Sequence, residues 1–260
     1  MAGDVLNIWI TGGGSGIGAA LARQYAAQGH RVIISGRNAQ KLQEICEGSD
    51  GHIQPLVFDV SDDEASTTAS QALQELTTHL DLLIMNAGSC EYIRAPELDT
   101  ALFRRVMDSN YFGMINTLRA ALPSLREAPR RPHVVGICSL AGLIGFPRAA
   151  AYGGSKAAAA YLVHALRTDF GDLLDTTVVN PGFIRTPMTE QNQFPMPFLM
   201  EADKAAALIA RRIRRRPLTV NFPRRLSAIL QLGRLFAPIW YRLYMRSADS
   251  LGRKKKASGT

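Results

Sequence analysis

Cysteine is scarce in this chain of 260 residues, which has only Cys46, Cys90 and Cys138. The three show no paired spacing, which argues against a disulfide framework. Residues 1–4 enter a strand-like run without the basic segment and apolar stretch of a signal peptide. Together these absences predict a cytoplasmic protein.

Other chemical signatures are also missing. The five histidines (His30, His52, His79, His133 and His164) lack metal-ligand spacing, so we predict no metal site. No Gly-x-Ser-x-Gly motif supports a hydrolase. Repeats of 20–50 residues are absent. With 47% hydrophobic residues, the chain is long enough to bury a substantial core.

Acidic residues are nearly absent from the C-terminal part. Residues 211–256 contain fourteen lysines and arginines against one acid, Asp249, a net charge of +13. Because the whole chain carries +8, the remainder carries −5. This asymmetry predicts an anionic partner for the C-terminal part, membrane or nucleic acid, without choosing between them.

Seven short apolar runs predict strands, at residues 6–11, 31–35, 54–58, 80–86, 133–138, 176–180 and 218–221. Their near-continuous apolar character is typical of parallel strands covered on both faces. Helical patterns lie between them, for example at residues 18–28, 62–78 and 149–170. The sequence therefore predicts a doubly wound, Rossmann-like α/β domain over residues 1–221, followed by a basic amphipathic helical extension over residues 222–260.

The first predicted strand runs directly into Thr-Gly-Gly-Gly-Ser-Gly-Ile-Gly at residues 11–18, and a helix follows. Glycine lets backbone N–H groups approach an anion, and a helix N-terminus favours a pyrophosphate. Many glycine-rich turns are merely tight turns, but this position favours a dinucleotide site. The second strand ends at Arg37 with no acid nearby, which favours NADP(H) over NAD(H). Alternatively, Arg37 is only solvent-exposed.

Tyr152 and Lys156 lie four residues apart at the start of a long helix, so both side chains share one face. An ammonium near a phenol should lower the phenol pKa, and such a tyrosine can exchange a proton with an alcohol oxygen while hydride moves to or from a nicotinamide. Ser139 ends a predicted buried strand and could polarise a carbonyl oxygen, or simply cap the following turn.

Taken in order, these motifs resemble the short-chain dehydrogenase/reductase family over residues 5–221. The matching features are the glycine-rich turn, Asp59-Val60, Asn86-Ala87-Gly88, Asn110, Ser139, Tyr152-x-x-x-Lys156 and Pro181-Gly182 with Thr186. Met85 departs from the family, many members of which have another asparagine there. The resemblance implies cofactor-binding roles for Gly12, Ser15, Gly16, Ile17, Gly18, Arg37, Asp59, Val60, Asn86, Ala87, Gly88, Tyr152, Lys156, Pro181, Gly182, Ile184 and Thr186.

The resemblance also implies catalytic roles. Tyr152 would be the acid/base, and Ser139 would orient the substrate oxygen. Lys156 would bind the nicotinamide ribose and lower the tyrosine pKa, while Asn110 would hold a water in a proton relay. Like many members, the protein would form a homodimer or homotetramer. The expected activity is hydride transfer between NADP(H) and an alcohol or carbonyl compound.

Two segments leave alternatives open. Residues 187–200, with Phe146 and Phe183, are rich in Met and Phe, which fits either an apolar substrate or packing on the core. Residues 222–245 combine helically spaced apolar side chains with arginines and Pro238, which argues against a membrane-spanning helix. They fit a helix docked beside the substrate cleft, a partner-binding arm or a peripheral contact with an anionic membrane. Nucleic acid is disfavoured because no recognised motif is present.

Two other function classes compete with the enzyme. One is a catalytically idle NADP(H)-binding regulator on the same fold, which the complete set of Asn110, Ser139, Tyr152 and Lys156 disfavours. The other is a peripheral membrane protein for which redox chemistry is secondary.

Overall fold

The computed structural model describes residues 4–93, 97–192 and 194–243. The strands are β1 (Asn7–Thr11), β2 (Arg31–Gly36), β3 (Ile53–Val57), β4 (Leu82–Met85), β5 (His133–Ile137), β6 (Asp175–Pro181), β7 (Ile184–Arg185), β8 (Met200–Glu201) and β9 (Thr219–Phe222). The α-helices are α1 (Gly16–Ala26), α2 (Ala39–Cys46), α3 (Ala65–Leu76), α4 (Thr100–Met107), α5 (Gly113–Arg126), α6 (Ala150–Asp169), α7 (Pro187–Glu190), α8 (Ala202–Ile213) and α9 (Arg224–Leu235).

Seven of these strands form one parallel sheet in the order β3-β2-β1-β4-β5-β6-β9. This confirms the predicted doubly wound, seven-stranded fold, and each predicted strand end lies within about two residues of the observed one. The small pair β7 and β8 was not predicted, because two-residue strands carry no periodic signal. The last strand of the main sheet extends one residue beyond the predicted boundary, to Phe222.

Both faces of the sheet are covered, which explains the continuous apolar strands. In β1, Ile8 and Ile10 belong to a core cluster with α1, α2 and α8. Trp9 points to the opposite face and joins a second cluster with α3, α5 and α6. All three side chains are fully buried. Side chains of opposite faces alternate along a strand, so a strand covered on both sides must be apolar at every position.

The order of the strands fixes the position of the cleft. The chain moves outward from β1 to β2 and β3 on one side, then returns to place β4 on the other side of β1. The loops that leave the carboxyl ends of β1 and β4 therefore diverge, and ligands of open α/β sheets bind in the crevice between such loops.

The C-terminal extension begins as a helix, as predicted. After α9, residues 237–243 are again helical. Tyr244 and the basic residues that follow it, which belong to the predicted extension, lie outside the described residues. Among the described residues, no helix is both long and apolar enough to span a bilayer.

His133 couples the stability of the core to pH. It is 5% exposed at the start of β5, and its Nε2 lies 2.9 Å from Thr177 Oγ1. Burial lowers the pKa of His133 from 6.5 to about 4, because the charged imidazolium would lose its hydration. The unfolded chain therefore takes up a proton that the folded chain does not, and stability is lost as the pH falls below about 6.5.

We predict that His133 contributes about 2 kcal/mol to the stability lost between pH 7.5 and pH 5. The variant His133→Gln can still bond to Thr177 but cannot ionise, so its unfolding free energy should fall less over this range. Urea unfolding of both proteins at the two pH values measures the difference. Equal losses of unfolding free energy in the wild type and in His133→Gln would show that His133 does not titrate in this way.

Candidate active site

The glycine-rich loop after β1 approaches the loop after β4 too closely for side chains. Gly12 has a φ of +67°, and a Cβ added to it would lie 2.8 Å from Ala87 Cα. Gly16, with a φ of +54°, faces Thr186, whose Cγ2 would lie 2.9 Å from an added Cβ. These positions require glycine for both conformation and space, and they leave a backbone-lined cradle between the two loops.

Gly18 serves packing rather than the cleft surface. A Cβ on Gly18 would overlap the carbonyl oxygen of Gly12 and lie 2.7 Å from Asn86 Nδ2. That same Nδ2 donates hydrogen bonds to the carbonyls of Thr11, at 3.0 Å, and Gly12, at 3.2 Å. Helix α1 can therefore lie close against both loops, and Asn86 braces the sheet edge on which the cleft is built.

The N-terminus of α1 has the properties of an anion site. Ser15 is its N-cap residue, but the side chain makes no capping hydrogen bond. The first turn contains no acidic residue. The first N–H groups of a helix have no partner within the helix, and they combine with the helix dipole to favour a negative charge. A pyrophosphate fits this position.

Two cations lie beside the outer end of the glycine loop. Arg37 directly follows β2, is exposed, and makes no hydrogen bond or ion pair with the rest of the described chain. Lys41, on α2, lies beside the loop. A Cβ added to Gly14 would be 3.4 Å from the Cβ of Lys41. The sequence analysis missed Lys41, although its place four residues after Arg37 in a predicted strand-to-helix connection could have indicated it.

Asp59 and Val60 follow β3 at the edge of the site. Asp59 Oδ1 accepts hydrogen bonds from the backbone N–H and hydroxyl of Ser61, at 3.0 and 2.7 Å. Val60 is buried, and its carbonyl accepts a hydrogen bond from Asn116 Nδ2 at 3.0 Å. These contacts fix the backbone of both residues near the adenine end expected from the family resemblance.

Beyond the carboxyl ends of β1, β4, β5 and β6 lies a cleft of about 200 Å³, partly open to solvent. All predicted site residues line it except Gly18, Arg37, Asp59, Val60 and Asn110. The lining also includes five residues that were not predicted, Ile137, Cys138, Pro187, Met188 and Thr189. Ile137 and Cys138 directly precede the predicted Ser139, and Pro187, Met188 and Thr189 lie in the predicted substrate segment, so their position in the chain was the only signal.

Tyr152 and Ser139 meet in this cleft. Their side chains are hydrogen-bonded to each other, and Ser139 Oγ also accepts a hydrogen bond from the backbone N–H of Ala141 at 3.1 Å. Ser139 therefore caps the short turn Leu140–Gly142 and also faces Tyr152. The sequence left open whether this serine caps the turn or polarises a carbonyl oxygen, and its position allows both.

Close backbone contact holds the Ser139 turn against α6. A Cβ on Gly142 would lie 2.9 Å from the backbone nitrogen of Ala157, and one on Gly153 would lie 2.9 Å from the carbonyl oxygen of Ala141. These atoms belong to the backbone and cannot turn aside as a side chain can. The spacing of Ser139 and Tyr152 is therefore set by two glycines.

Lys156 is buried at the base of the cleft. It is 5% exposed, and its Nζ donates a hydrogen bond to the carbonyl of Ile137 at 3.0 Å. A Cβ on Gly88 would lie 3.2 Å from the same Nζ, so glycine leaves room for the ammonium. Burial lowers the pKa of Lys156 below its ordinary value.

The lowering of the Tyr152 pKa by Lys156 stays a prediction, and burial acts in the opposite direction. Burial raises the pKa of the Tyr152 hydroxyl, and the hydrogen bond from Ser139 only partly opposes this rise. Desolvation penalises the phenolate more than its neighbours stabilise it. The Tyr152 hydroxyl is accordingly neutral at neutral pH.

Asn110 lies behind the cleft in a π-helical turn, Asp108–Phe112, between α4 and α5. Its side chain is fully buried, accepts a hydrogen bond from Ser89 N at 2.8 Å, and donates to Ser89 O and Ser155 Oγ at 2.9 and 2.8 Å. The amide thus braces the loop after β4 against α6. Short π-helical turns are frequent at functional sites, but no periodic pattern predicts them.

A group of aromatic side chains includes Phe183, which lies in the chain between the cleft residues Gly182 and Ile184. The side chains of Tyr92 and Cys90 are hydrogen-bonded, and Tyr92 packs edge-on against Phe194, with 5.7 Å between ring centroids. Phe194 also contacts Phe183, at 6.0 Å. Phe146, predicted with this group, instead packs on Trp240 of the C-terminal extension, at 6.3 Å.

Comparison with known proteins agrees with this geometry. The family model for short chain dehydrogenases matches residues 6–195. An uncharacterized oxidoreductase from Myxococcus xanthus is 35% identical over 230 residues, which are 87% of this chain and 90% of the relative. Dehydrogenase/reductase SDR family member 7B of Xenopus laevis is 36% identical over 69% of this chain, and the match spans 58% of that longer relative.

Solved structures share the fold. The Pseudomonas aeruginosa RhlG/NADP active-site complex has a TM-score of 0.78 at 25% identity, covering 85% of this chain and 96% of that one. A short-chain dehydrogenase/reductase from Burkholderia phymatum in complex with NAD has a TM-score of 0.82 at 20% identity, covering 92% of this chain and 96% of that one. The first similarity involves NADP and the second NAD, so the comparisons leave the preference between them open.

The tight fit of Gly142 gives a direct test of how the site is held. A methyl group at Gly142 must push the Ser139 turn away from α6, so Gly142→Ala should cost about 1–3 kcal/mol of stability. Gly154→Ala, on α6 beside the contact that Gly153 makes but with nothing within 4 Å of the added Cβ, is the control and should keep or gain stability. Denaturant unfolding of both variants measures this, and equal effects would disprove the packing argument.

Proposed function

The chain belongs to the short-chain dehydrogenase/reductase family of NAD(P)-binding oxidoreductases, and on that premise we propose that it interconverts an apolar alcohol and its carbonyl compound with NADP(H). The observation that carries this proposal is the hydrogen-bonded pair of Tyr152 and Ser139 at the base of a cleft whose other end is a glycine-lined anion cradle. The pair of Tyr152 and Ser139 can transfer a proton to or from a substrate oxygen, and the cradle can hold a dinucleotide.

The residues of the cleft fit a nicotinamide dinucleotide. The open N-terminus of α1, with its uncapped Ser15, would hold the pyrophosphate. Asp59 and Val60 would border the adenine, and residues 181–186 would border the nicotinamide. When bound, the nicotinamide supplies or accepts the hydride. The protein itself would orient the substrate and the cofactor and would transfer the proton.

Tyr152 would donate its proton to the carbonyl oxygen during reduction and recover it during alcohol oxidation. Ser139 would hold the same oxygen beside the tyrosine hydroxyl. Because burial raises the Tyr152 pKa, the hydroxyl keeps its proton at neutral pH, which suits reduction. Oxidation requires the phenolate, so its rate should increase with pH.

Lys156 and Asn110 would support this proton transfer. With one N–H committed to Ile137, the Lys156 ammonium has two left for the ribose hydroxyls of a bound cofactor. The Asn110 amide is occupied by Ser89 and Ser155, so a relay water would have to be held by its backbone carbonyl. The π-helical turn favours this, since it disturbs the i to i−4 bonding pattern that otherwise occupies such carbonyls.

NADP(H) is the favoured cofactor because Arg37 and Lys41 lie where the adenosine ribose should bind. Arg37 has no competing protein partner in the described structure, and no acid follows β2 to bind a free 2′-hydroxyl. A guanidinium makes charge-assisted, bidentate contacts with a phosphate. The NADP in the structurally similar Pseudomonas aeruginosa RhlG adds support.

An apolar substrate is favoured by the composition of the far side of the cleft. Tyr92, Phe183 and Phe194 form a contiguous aromatic surface. Met188 in the adjoining segment is 41% exposed, and its flexible thioether can adapt to different alkyl shapes. Residues 187–200 contain no Lys or Arg to bind a substrate carboxylate.

Removing the Tyr152 hydroxyl tests the proposed chemistry. Tyr152→Phe keeps the ring but deletes the transferred proton, so it should lower kcat by at least about a hundred-fold. Cofactor affinity, measured by fluorescence titration, should stay within a few-fold. Tyr161→Phe, an exposed tyrosine on the same helix, is the control and should keep wild-type turnover. Substantial residual turnover in Tyr152→Phe would remove this residue from the mechanism.

Cofactor preference is tested at Arg37. Arg37→Ala should weaken NADPH binding about ten- to a hundred-fold, the equivalent of one charge-assisted hydrogen bond, and barely change NADH binding. Arg31→Ala, at the opposite end of β2, should alter neither affinity. Titration of both nucleotides into all three proteins gives the comparison. Equal losses for NADPH and NADH would mean that Arg37 does not read the 2′-phosphate.

A further inference from the structure

The beginning of the C-terminal extension has two different faces. We call residues 224–243 the C-terminal arm. On its inner face, Leu226 and Leu230 are buried against Leu140 and Ile144. After a one-residue interruption at Phe236 the chain is helical again, and Trp240 Cε3 would lie 2.6 Å from a Cβ added to Gly233. The arm is therefore an interrupted helix seated on the domain through one face.

The inner face contacts both walls of the substrate cleft. Tyr241 Oη accepts a hydrogen bond from Gly145 N at 3.1 Å, in the segment between the Ser139 turn and α6. Leu226 Cδ2 would lie 3.0 Å from a Cβ added to Gly182, which lines the cleft. Phe183 packs with the arm and also touches Phe194 of the substrate segment. The arm thus forms the outer support of the cleft mouth.

The outer face of the arm is apolar and exposed in the described part of the chain. Six large apolar side chains are between 49% and 73% exposed, namely Ile229, Leu232, Leu235, Phe236, Ile239 and Leu243. Single exposed apolar residues are ordinary, but six within fifteen positions form the kind of concentration that marks an interaction surface. The neighbouring substrate segment adds exposed Met188 and Phe198.

The positive charge of the arm favours an anionic lipid surface over a second copy of the chain as its partner. Arg224, Arg225, Arg234 and Arg242 are exposed, none is in an ion pair with another described residue, and the arm contains no acid. A symmetric contact with a second copy would bring four positive charges against four. An anionic lipid surface instead complements the arginines and accepts the apolar side chains.

We propose that the C-terminal arm is a membrane-surface element that seats the mouth of the cleft on an anionic bilayer, and that the enzyme takes a lipid-dissolved alcohol or carbonyl substrate from that surface. The second part rests on the proposed function, whereas the first does not. The arm lies on the bilayer without crossing it, with its inner face still bound to the domain.

Sedimentation of the full-length protein with vesicles tests the surface contact. The protein should bind phosphatidylcholine–phosphatidylglycerol vesicles at low salt and phosphatidylcholine vesicles far less. Salt at 0.5 M should weaken the binding without abolishing it, because only the contribution of the arginines is screened. Failure of the protein to bind anionic vesicles at low salt would overturn the proposal.

Variants of exposed residues distinguish vesicle binding through the arm from nonspecific adsorption of the protein. Leu232→Ser/Leu235→Ser removes two exposed apolar side chains and should lower vesicle partitioning at least about ten-fold without changing the melting temperature. Leu98→Ser/Leu218→Ser, exposed elsewhere, is the matched control and should leave partitioning unchanged. If the arm variant instead converts a wild-type dimer to a monomer and still binds vesicles, the outer face joins two copies and the proposal fails.

Turnover separates the substrate inference from the proposed function. A long-chain 2-ketone dissolved in anionic vesicles should be reduced several-fold faster by the wild type than by the arm variant, while a short, water-soluble 2-ketone should be reduced equally by both. Equal rates with both ketones would overturn the lipid substrate but leave the oxidoreductase. Vesicle binding with no turnover of any carbonyl compound would overturn the proposed function and leave the membrane contact.

Discussion

The site depends above all on the contact that joins Gly12, Gly18 and Asn86. It brings the end of β1, the start of α1 and the loop after β4 to within van der Waals distance. The hydrogen bonds from Asn86 to the carbonyls of Thr11 and Gly12 hold the three together. If this contact opened, the helix terminus would move away from the cleft, and its unpaired N–H groups would no longer meet an anion bound there.

Burial then sets the protonation of the reacting groups. Tyr152 and Lys156 share one helix face, yet both lose hydration in the closed base of the cleft, and burial favours the neutral form of each. The phenol is thereby kept as an acid. A hydrogen bond from Ser139 stabilises the phenolate, so this serine partly opposes the rise in the Tyr152 pKa that burial causes.

The C-terminal arm connects this chemistry to the surface of the protein. It buries one helix face against the segment between Ser139 and Tyr152 and leaves the other face apolar and basic. The sequence offered docking on the fold and contact with a membrane as alternatives. The structure makes them compatible, because α9 has two faces and the buried one consists of Leu226, Ser227, Leu230 and Gly233.

The sequence by itself determined the seven-stranded parallel sheet, the glycine-lined cradle and the placement of Tyr152 and Lys156 on one helix face, because periodicity and short-range spacing are local properties. Tertiary structure alone decided that Asn110 is held in a π-helical turn and that Gly142 packs against the backbone of α6. It also decided that burial raises the pKa of the Tyr152 hydroxyl. Desolvation and close backbone approach depend on atoms far apart in the chain, and no local pattern encodes them.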